Sequence, residues 1–431
     1  LVEGAAVAAL LGSAAFADVS VGAWGRAVTG IGNRANKSSD GTDVAISNMQ
    51  SWGDNGPRFG ITFSGDHDGV IGFTAQAFLN GQDGWGVGDV ATVWYAPIEQ
   101  IKVWLGKDNC GNPLRGDACY GTWDIKRVGT MDGAYHEGWT FQGQASTGAA
   151  IGIFPIEGLS FYASFDYPYQ ENIDITDESS GWTDANLANV VGRHSKYALA
   201  YAIGGDEGIA TIKLGIEEKG KVAYTDDGIK DQNIINFAVD VKPMENLFLS
   251  VGAFIPTVQY KWETAGKSYA YTYKKKGVTF DDAGVTGVSL DNTASFNRVN
   301  AYVRFGAMEG LNIHAQLGTK LNCPDIKENK ADSQLGFLVG GGIDYALMDS
   351  LTLYADVGYA NGIYMACTSA DHSDCMNFGL GVTKDYGEGC SVSAGFVGAT
   401  NGYGMYDTTY TDGDKKYPFS WGIPLAITYS F

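Results

Sequence analysis

One short unit recurs along the chain: a few alternating residues, an acid with one or two turn formers, then a new alternating run. It reads APIEQIKVWLG from Ala96, FPIEGLSFYASF from Phe154, KPMENLFLSVGAF from Lys242, GAMEGLNIHAQLG from Gly306 and YALMDSLTLYADVG from Tyr345. Looser copies are DHDGVIGFTAQAF from Asp66, GDEGIATIKLGIE from Gly205 and YGEGCSVSAGF from Tyr386. Asp, Glu, Asn and Gly suit tight turns through side-chain hydrogen bonds or tolerance of positive φ. On both sides of each turn the apolar period is two, as in Phe161, Ala163 and Phe165 against Ser160, Tyr162 and Ser164. That period specifies strands, so each unit is a hairpin with a minimal turn.

Eight such turns join sixteen strands, and one further strand at each end gives about 18, with 16 as the alternative. An even number places both termini on one rim. The other connections are long and polar: residues 32–54, 108–137, 168–192, 219–231 and 264–292. Short turns on one side and long loops on the other describe a closed antiparallel up-and-down barrel. Lipid offers no water to an open sheet edge, so a sheet that spans it must close. The expected fold class is therefore all-β: a transmembrane β-barrel with the apolar parity toward lipid and the other toward a wet lumen. Glycine, 60 of 431 residues, is about twice its usual share and suits strongly curved strands.

The last residues, SWGIPLAITYSF, put Ile423, Leu425, Ile427, Tyr429 and Phe431 on one parity. This run resembles the assembly signal of bacterial outer-membrane proteins, which ends in Phe with apolar residues at alternate positions before it. With the hairpin pattern, residues 18–431 resemble an outer-membrane porin. The resemblance implies outer-membrane lipid and small hydrophilic solutes as partners, recognition of Phe431 by the barrel-assembly machinery, and a homotrimer. It implies a passive channel without a cofactor. The alternatives are a sugar-selective channel and a non-conducting surface adhesin or structural barrel.

Residues 4–17, GAAVAALLGSAAFA, form an apolar run too short for a membrane helix, which needs about 20 residues. It closes on Ala15-Phe16-Ala17, the small-x-small pattern of a signal-peptidase site, although no Lys or Arg precedes it. Residues 1–17 are expected to be a signal peptide and Asp18 the first mature residue. A formal net charge of −20 without a basic stripe argues against nucleic acid as a partner.

The lumen parity places Arg26, Arg58, Lys102, Lys196, Lys213, Arg298, Arg304 and Lys320 inside, with Asp166, Glu217, Asp240, Asp344 and Asp356. Among uncharged residues it selects Thr62, Thr74, Gln76, Gln142, Gln144, Ser146, Asn300 and Gln316, and among aromatics Trp24, Trp104, Tyr162, Phe254, Tyr302 and Tyr354. The strand lumen leans basic although the chain is acidic. Loop 108–137 follows the fifth strand; in porins this connection typically folds inward and makes the constriction. By that resemblance Asp117, Asp124, Lys126, Arg127 and Asp132 face Arg298 and Arg304. Cys110 and Cys119, and separately Cys367 and Cys375, are spaced for disulfides of an exported protein. Cys323 is expected in an outer loop and Cys390 at the opposite rim, too far apart to bridge.

Catalytic motifs fail one by one. GIEEKGKV from Gly215 has Val222 where a phosphate loop needs Ser or Thr, and GWGVGD from Gly84 lacks a strand–turn–helix context. No GxSxG elbow occurs. The five His residues are scattered; a membrane lipase would need a Ser–His pair on one barrel wall, and His314 has no evident Ser for such a pair. No Cys spacing or EF-hand spacing supports a metal, so no enzyme is expected.

Overall fold

The computed structural model describes residues 18–35, 42–48, 58–80, 85–107, 141, 147–166, 195–205, 208–225, 228–259, 274–275, 278–279, 296–325, 330–366, 374–400, 411–412, 415–416 and 419–430. In chain order the strands are β1 (Asp18–Ala35), β2 (Thr42–Asn48), β3 (Arg58–His67), β4 (Ile71–Asn80), β5 (Trp85–Ile98), β6 (Ile101–Lys107), β7 (Thr147–Ile156) and β8 (Leu159–Asp166). They continue as β9 (Ser195–Ile203), β10 (Ala210–Thr225), β11 (Gly228–Met244), β12 (Leu247–Pro256), β13 (Lys274–Lys275), β14 (Val278–Thr279), β15 (Arg298–Met308) and β16 (Leu311–Asp325). The last are β17 (Lys330–Met348), β18 (Leu351–Ala360), β19 (Cys375–Gly387), β20 (Cys390–Thr400), β21 (Thr411–Asp412), β22 (Lys415–Lys416) and β23 (Phe419–Ser430), with one helix, α1 (Gly362–Ala366), after β18.

Every barrel strand pairs antiparallel with its neighbours in the chain. The ring shuts where β1 pairs β23, from Trp24 opposite Ser430 to Gly32 opposite Gly422. Leaving aside the four two-residue strands and β2, the closed ring has 18 strands. This is the expected architecture with the larger of the two strand numbers. Closure leaves no edge row of N–H and C=O groups to be buried in lipid without partners.

All eight repeat units form the expected short connections, between residues 67 and 71, 98 and 101, 156 and 159, 203 and 210, 244 and 247, 308 and 311, 348 and 351, and 387 and 390. Gly310, in a Glu-Gly turn, adopts a φ of 74°. A Cβ there would also come within 3.1 Å of the Ala346 carbonyl. The Gly310 carbonyl in turn accepts from the Ala346 N–H at 2.7 Å, so each turn is tied to the next hairpin. Both described ends lie at this rim: the Ser430 hydroxyl donates to the carbonyl of Gly389, in the β19–β20 turn.

Alternation sets the two faces. In β18, Leu353 and Val357 are 40% and 49% exposed, while Tyr354 and Asp356 are 6% and 5% exposed. β23 repeats the pattern, with Ile423, Leu425, Ile427 and Tyr429 outward and Ala426 buried. The apolar side chains thus stand on the outside of the closed wall, where only lipid can cover so many of them.

The opposite rim departs from expectation at three places. Residues 219–231 are not a long loop: β10 and β11 continue as one ribbon to Thr225 opposite Gly228, with register shifts after Glu218 and Lys221. The interval 32–54 also holds strand, since Thr29–Ala35 of β1 pairs with β2. β2 and β3 therefore lie along successive stretches of the same β1 edge, separated by residues 49–57. Cys323 belongs to β16, beside a register shift, and not to a loop. Polar, Gly-rich sequence was read as loop at these sites. A two-stranded ribbon above the lipid needs no apolar face, so periodicity does not mark it.

Candidate functional site: the barrel lumen

The inward parity of the wall carries the polar and charged side chains. On β1, β3 and β4, the Arg26 guanidinium lies 4.4 Å from the Trp24 ring centroid. That of Arg58 lies 4.0 Å from Phe78 and 5.8 Å from Trp24. Further round the wall, the Lys102 ammonium stands 3.8 Å above Trp94 and 5.6 Å from Trp104. Aromatic faces attract cations by about 0.5–2 kcal/mol each and hold the long side chains against the wall. Trp24 lies over Gly60 and Trp94 over Gly72, positions where a side chain would collide with the indole.

On β10, β11 and β12 the charges close on one another. Lys213 Nζ is 2.6 Å from Asp240 Oδ2, and the Ser250 hydroxyl donates to Asp240 Oδ1 at 2.5 Å. Lys213 also faces the ring of Phe141 at 5.8 Å. Phe141 belongs to the connection between β6 and β7. It is 1% exposed and packs with Trp104, Ala150, Tyr162, Ala200 and Ala238, all on the inward parity. This connection therefore sends a side chain inside the barrel. Asp117, Asp124, Lys126, Arg127, Asp132, Cys110 and Cys119, in the same connection, lie outside the described residues.

β16, β17 and β18 bring together three groups the sequence separates widely. His314 Nε2 is 3.2 Å from Asp356 Oδ1, and Nδ1 is 3.8 Å from Asp344 Oδ2. β17 lies between β16 and β18, and the reach across it is possible because Gly342 stands opposite both His314 and Asp356. A Cβ at Gly342 would meet the Asp356 carboxylate and come within 2.9 Å of His314 Cε1. A neutral imidazole has one N–H to donate, whereas the imidazolium presents one to each carboxylate. Sequence reasoning did not foresee these two carboxylates: Asp344 lies on the adjacent strand and Asp356 on the strand beyond it, out of reach of any local spacing rule.

At the loop rim, α1 folds against the inner wall. Tyr364 is buried with Leu338 and Ala360. The Lys320 ammonium donates to the Tyr364 carbonyl at 3.1 Å and lies 4.4 Å from its ring. Asn361 Oδ1 accepts from the Tyr364 N–H at 2.9 Å and so caps the turn, while Asp374 Oδ1 accepts from the Gly362 N–H at 2.8 Å.

Arg26 lies on β1, Arg58 on β3, Lys102 on β6, Lys213 on β10, and Arg298 and Arg304 on β15, each alternating with exposed apolar residues of its strand. Asn300, Gln316 and the aromatics Trp104, Tyr162, Phe254, Tyr302 and Tyr354 are buried on the same side. Arg298 and Arg304 occupy the twelfth strand of the ring, opposite Phe254 and Phe248 of β12. Gln142, Gln144 and Ser146, Cys367, and the side chains of Asp166 and Cys375 fall outside what is described. Among the described residues Cys390 is free and sits after the β19–β20 turn, as expected. No cluster of His, Cys, Asp and Glu among the described residues is spaced to hold a metal. Sequence reasoning missed Phe141 and α1. An odd-numbered Phe before an even inward parity reads as lipid-facing, and α1 is too short for a periodic signal.

No protein-family model matches the sequence, and no curated protein does. Solved structures do. An anion-selective porin from Comamonas acidovorans is 12% identical with a TM-score of 0.48, over 96% of this chain and 100% of that one. A mutant porin of Rh. blastica is 12% identical with a TM-score of 0.44 over the same shares. OmpT, an outer-membrane protein of Vibrio cholerae, is 11% identical with a TM-score of 0.40, over 96% and 98%.

A closed 18-strand ring, short turns on one rim, an apolar outer face and a charged inner face define a transmembrane antiparallel β-barrel. The class rests on this chain's own ladders and faces.

Proposed function

We propose that this protein is a passive diffusion channel of a bacterial outer membrane for ions and small hydrophilic solutes. The observation that carries the reading is the inner wall. Arg26, Arg58 and Lys102 on one arc, and Asp344 and Asp356 on another, face the interior of a barrel whose outside is apolar. Solute moves down its gradient, and fixed charge in a narrow wet path sets ion preference. No chemical step is involved.

Phe141 supports an inward course for loop 108–137. In this reading Asp117, Asp124 and Asp132, with Lys126 and Arg127, border the narrow zone, and Arg298 and Arg304 stand on the strand side. Bonds between Cys110 and Cys119, and between Cys367 and Cys375, stiffen the loops, and residues 1–17 are removed on export. Three copies assemble side by side.

Planar-bilayer recording tests the proposal. The purified chain is expected to give discrete conductance steps; a folded barrel that inserts but stays sealed contradicts it and leaves a surface or structural role. In a salt gradient, Arg298→Ala with Arg304→Ala is expected to move the reversal potential toward cations. Asp124→Asn with Asp132→Asn moves it the other way, since charge in a constriction is poorly screened. If neither pair moves it, loop 108–137 lies outside the path.

A further inference from the structure

The connection between β18 and β19 starts on the inside of the barrel. Tyr364 of α1 is buried against Leu338 and Ala360, which share the inward parity of β17 and β18. The wall does not stop at that level. Lys320 stands opposite Gly336, and the pairing of β16 with β17 runs on through Cys323 opposite Gln334 to Asp325 opposite Lys330. β16 thus continues five residues past Lys320, which adds about 15 Å of strand at about 3.3 Å per residue. α1 therefore sits within the loop-side mouth, below the end of the β16–β17 ladder. A helical turn with its side chains is about 10 Å across, and on the inner face it takes that much of the mouth's width.

A helix of five residues has no stability of its own, since isolated helices shorter than about 12 residues are marginal in water. Its place is set by three anchors. Asn361 prolongs the β17–β18 pairing: its N–H donates to the Phe337 carbonyl at 3.0 Å, its Oδ1 accepts from the Phe337 N–H at 3.0 Å, and its Nδ2 donates to the Leu335 carbonyl at 2.8 Å. Asp374 closes the neck of the connection, because Oδ1 accepts from the Gly362 N–H and Oδ2 accepts from the Tyr359 hydroxyl at 2.6 Å. Lys320 is the third anchor and the one that comes from another strand pair. Its ammonium holds both the carbonyl and the ring of Tyr364. A wall cation is thereby turned onto the helix and away from the path.

Resting on the channel reading, we infer that α1 is a size filter at the loop-side mouth, a narrowing separate from the one assigned to loop 108–137, with Lys320 as its positioning residue. The filter works by width. Solutes broader than the gap left beside α1 are turned back whether or not they carry charge, while fixed charge deeper in the lumen sets ion preference. Release of α1 from the wall therefore changes the largest solute admitted.

The test is planar-bilayer recording of the full-length chain in potassium chloride, with neutral polyethylene glycols of graded size added on the loop side. A polymer that enters the path lowers the conductance, and one that is excluded leaves it unchanged. The double variant Lys320→Met with Tyr364→Ala removes the ammonium and the buried ring. It is expected to raise single-channel conductance about 1.5-fold and to admit larger polymers than the wild type. Lys320→Arg keeps a cationic donor and is expected to retain the wild-type polymer limit. Heat-modifiable migration on gels checks that each variant is folded. An unchanged polymer limit in the folded, conducting double variant overturns the filter and leaves the channel standing. A wild type that is sealed and a double variant that conducts overturn the open-channel reading and keep α1 as the obstruction. Sealed barrels in every variant overturn both.

Discussion

Leu425→Arg is expected to abolish assembly of the folded barrel. Leu425 lies near the middle of β23 and is 42% exposed on the outer face. β23 closes the ring on β1 and also pairs β20. A cation on the lipid face near the midplane costs about 2–4 kcal/mol, a large fraction of the few kcal/mol that separate most folded from unfolded chains. Removal of Phe431 acts on the same strand through loss of the assembly signal. Thr62→Arg, on the inward face of β3, is the matched control, because the lumen already accommodates Arg26 and Arg58. The measurement is the yield of heat-modifiable protein in outer-membrane fractions. Little or none is expected for Leu425→Arg and near-normal amounts for Thr62→Arg. Equal yields would mean that the outer face of β23 does not meet lipid.

Gly342→Val carries the second large effect. The position stands between His314 and Asp356, and even a methyl would collide with the Asp356 carboxylate and approach the Ala355 carbonyl within 2.5 Å. The colliding atoms belong partly to backbone, so they cannot simply rotate away. Overpacking of this kind costs about 1–3 kcal/mol, and separating His314 from Asp356 leaves a shielded carboxylate without that neighbour. Gly86→Ala, where a Cβ meets nothing within 4 Å, is expected to be neutral. Urea midpoints of the two variants in micelles check this; a Gly342→Val midpoint equal to that of Gly86→Ala would remove the packing argument for the His314 cluster.

The parts of the fold that could be read in advance share a local cause. Glu309-Gly310 and Asp349-Ser350 mark their turns within a few residues, and parity then assigns Leu353 outward and Tyr354 inward without any knowledge of neighbours. What escaped depends on contacts distant in sequence. Phe141 enters the lumen because Gly215 and Ala238 leave space for it, and neither lies near it in the chain. His314 finds Asp344 and Asp356 only after three strands align. Residues 219–231 have the composition of a loop, and their strand form follows from extension of the β10–β11 ladder beyond the apolar band. Sequence period reports burial, and where a ribbon has no buried face it reports nothing.

The central claim is that the outward parity meets lipid and the inward parity meets water. Single cysteines decide it most directly, after the six native cysteines are replaced by serine. Probes are placed at Leu353, Leu380 and Ile427 on the outside, and at Thr62, Thr74 and Thr383 on the inside. In the folded barrel reconstituted in vesicles, a water-soluble maleimide is expected to label the three inner sites. A fluorophore attached at the outer sites is expected to be quenched by brominated acyl chains. Labelling of the outer set by the soluble reagent, with quenching confined to the inner set, would contradict the account.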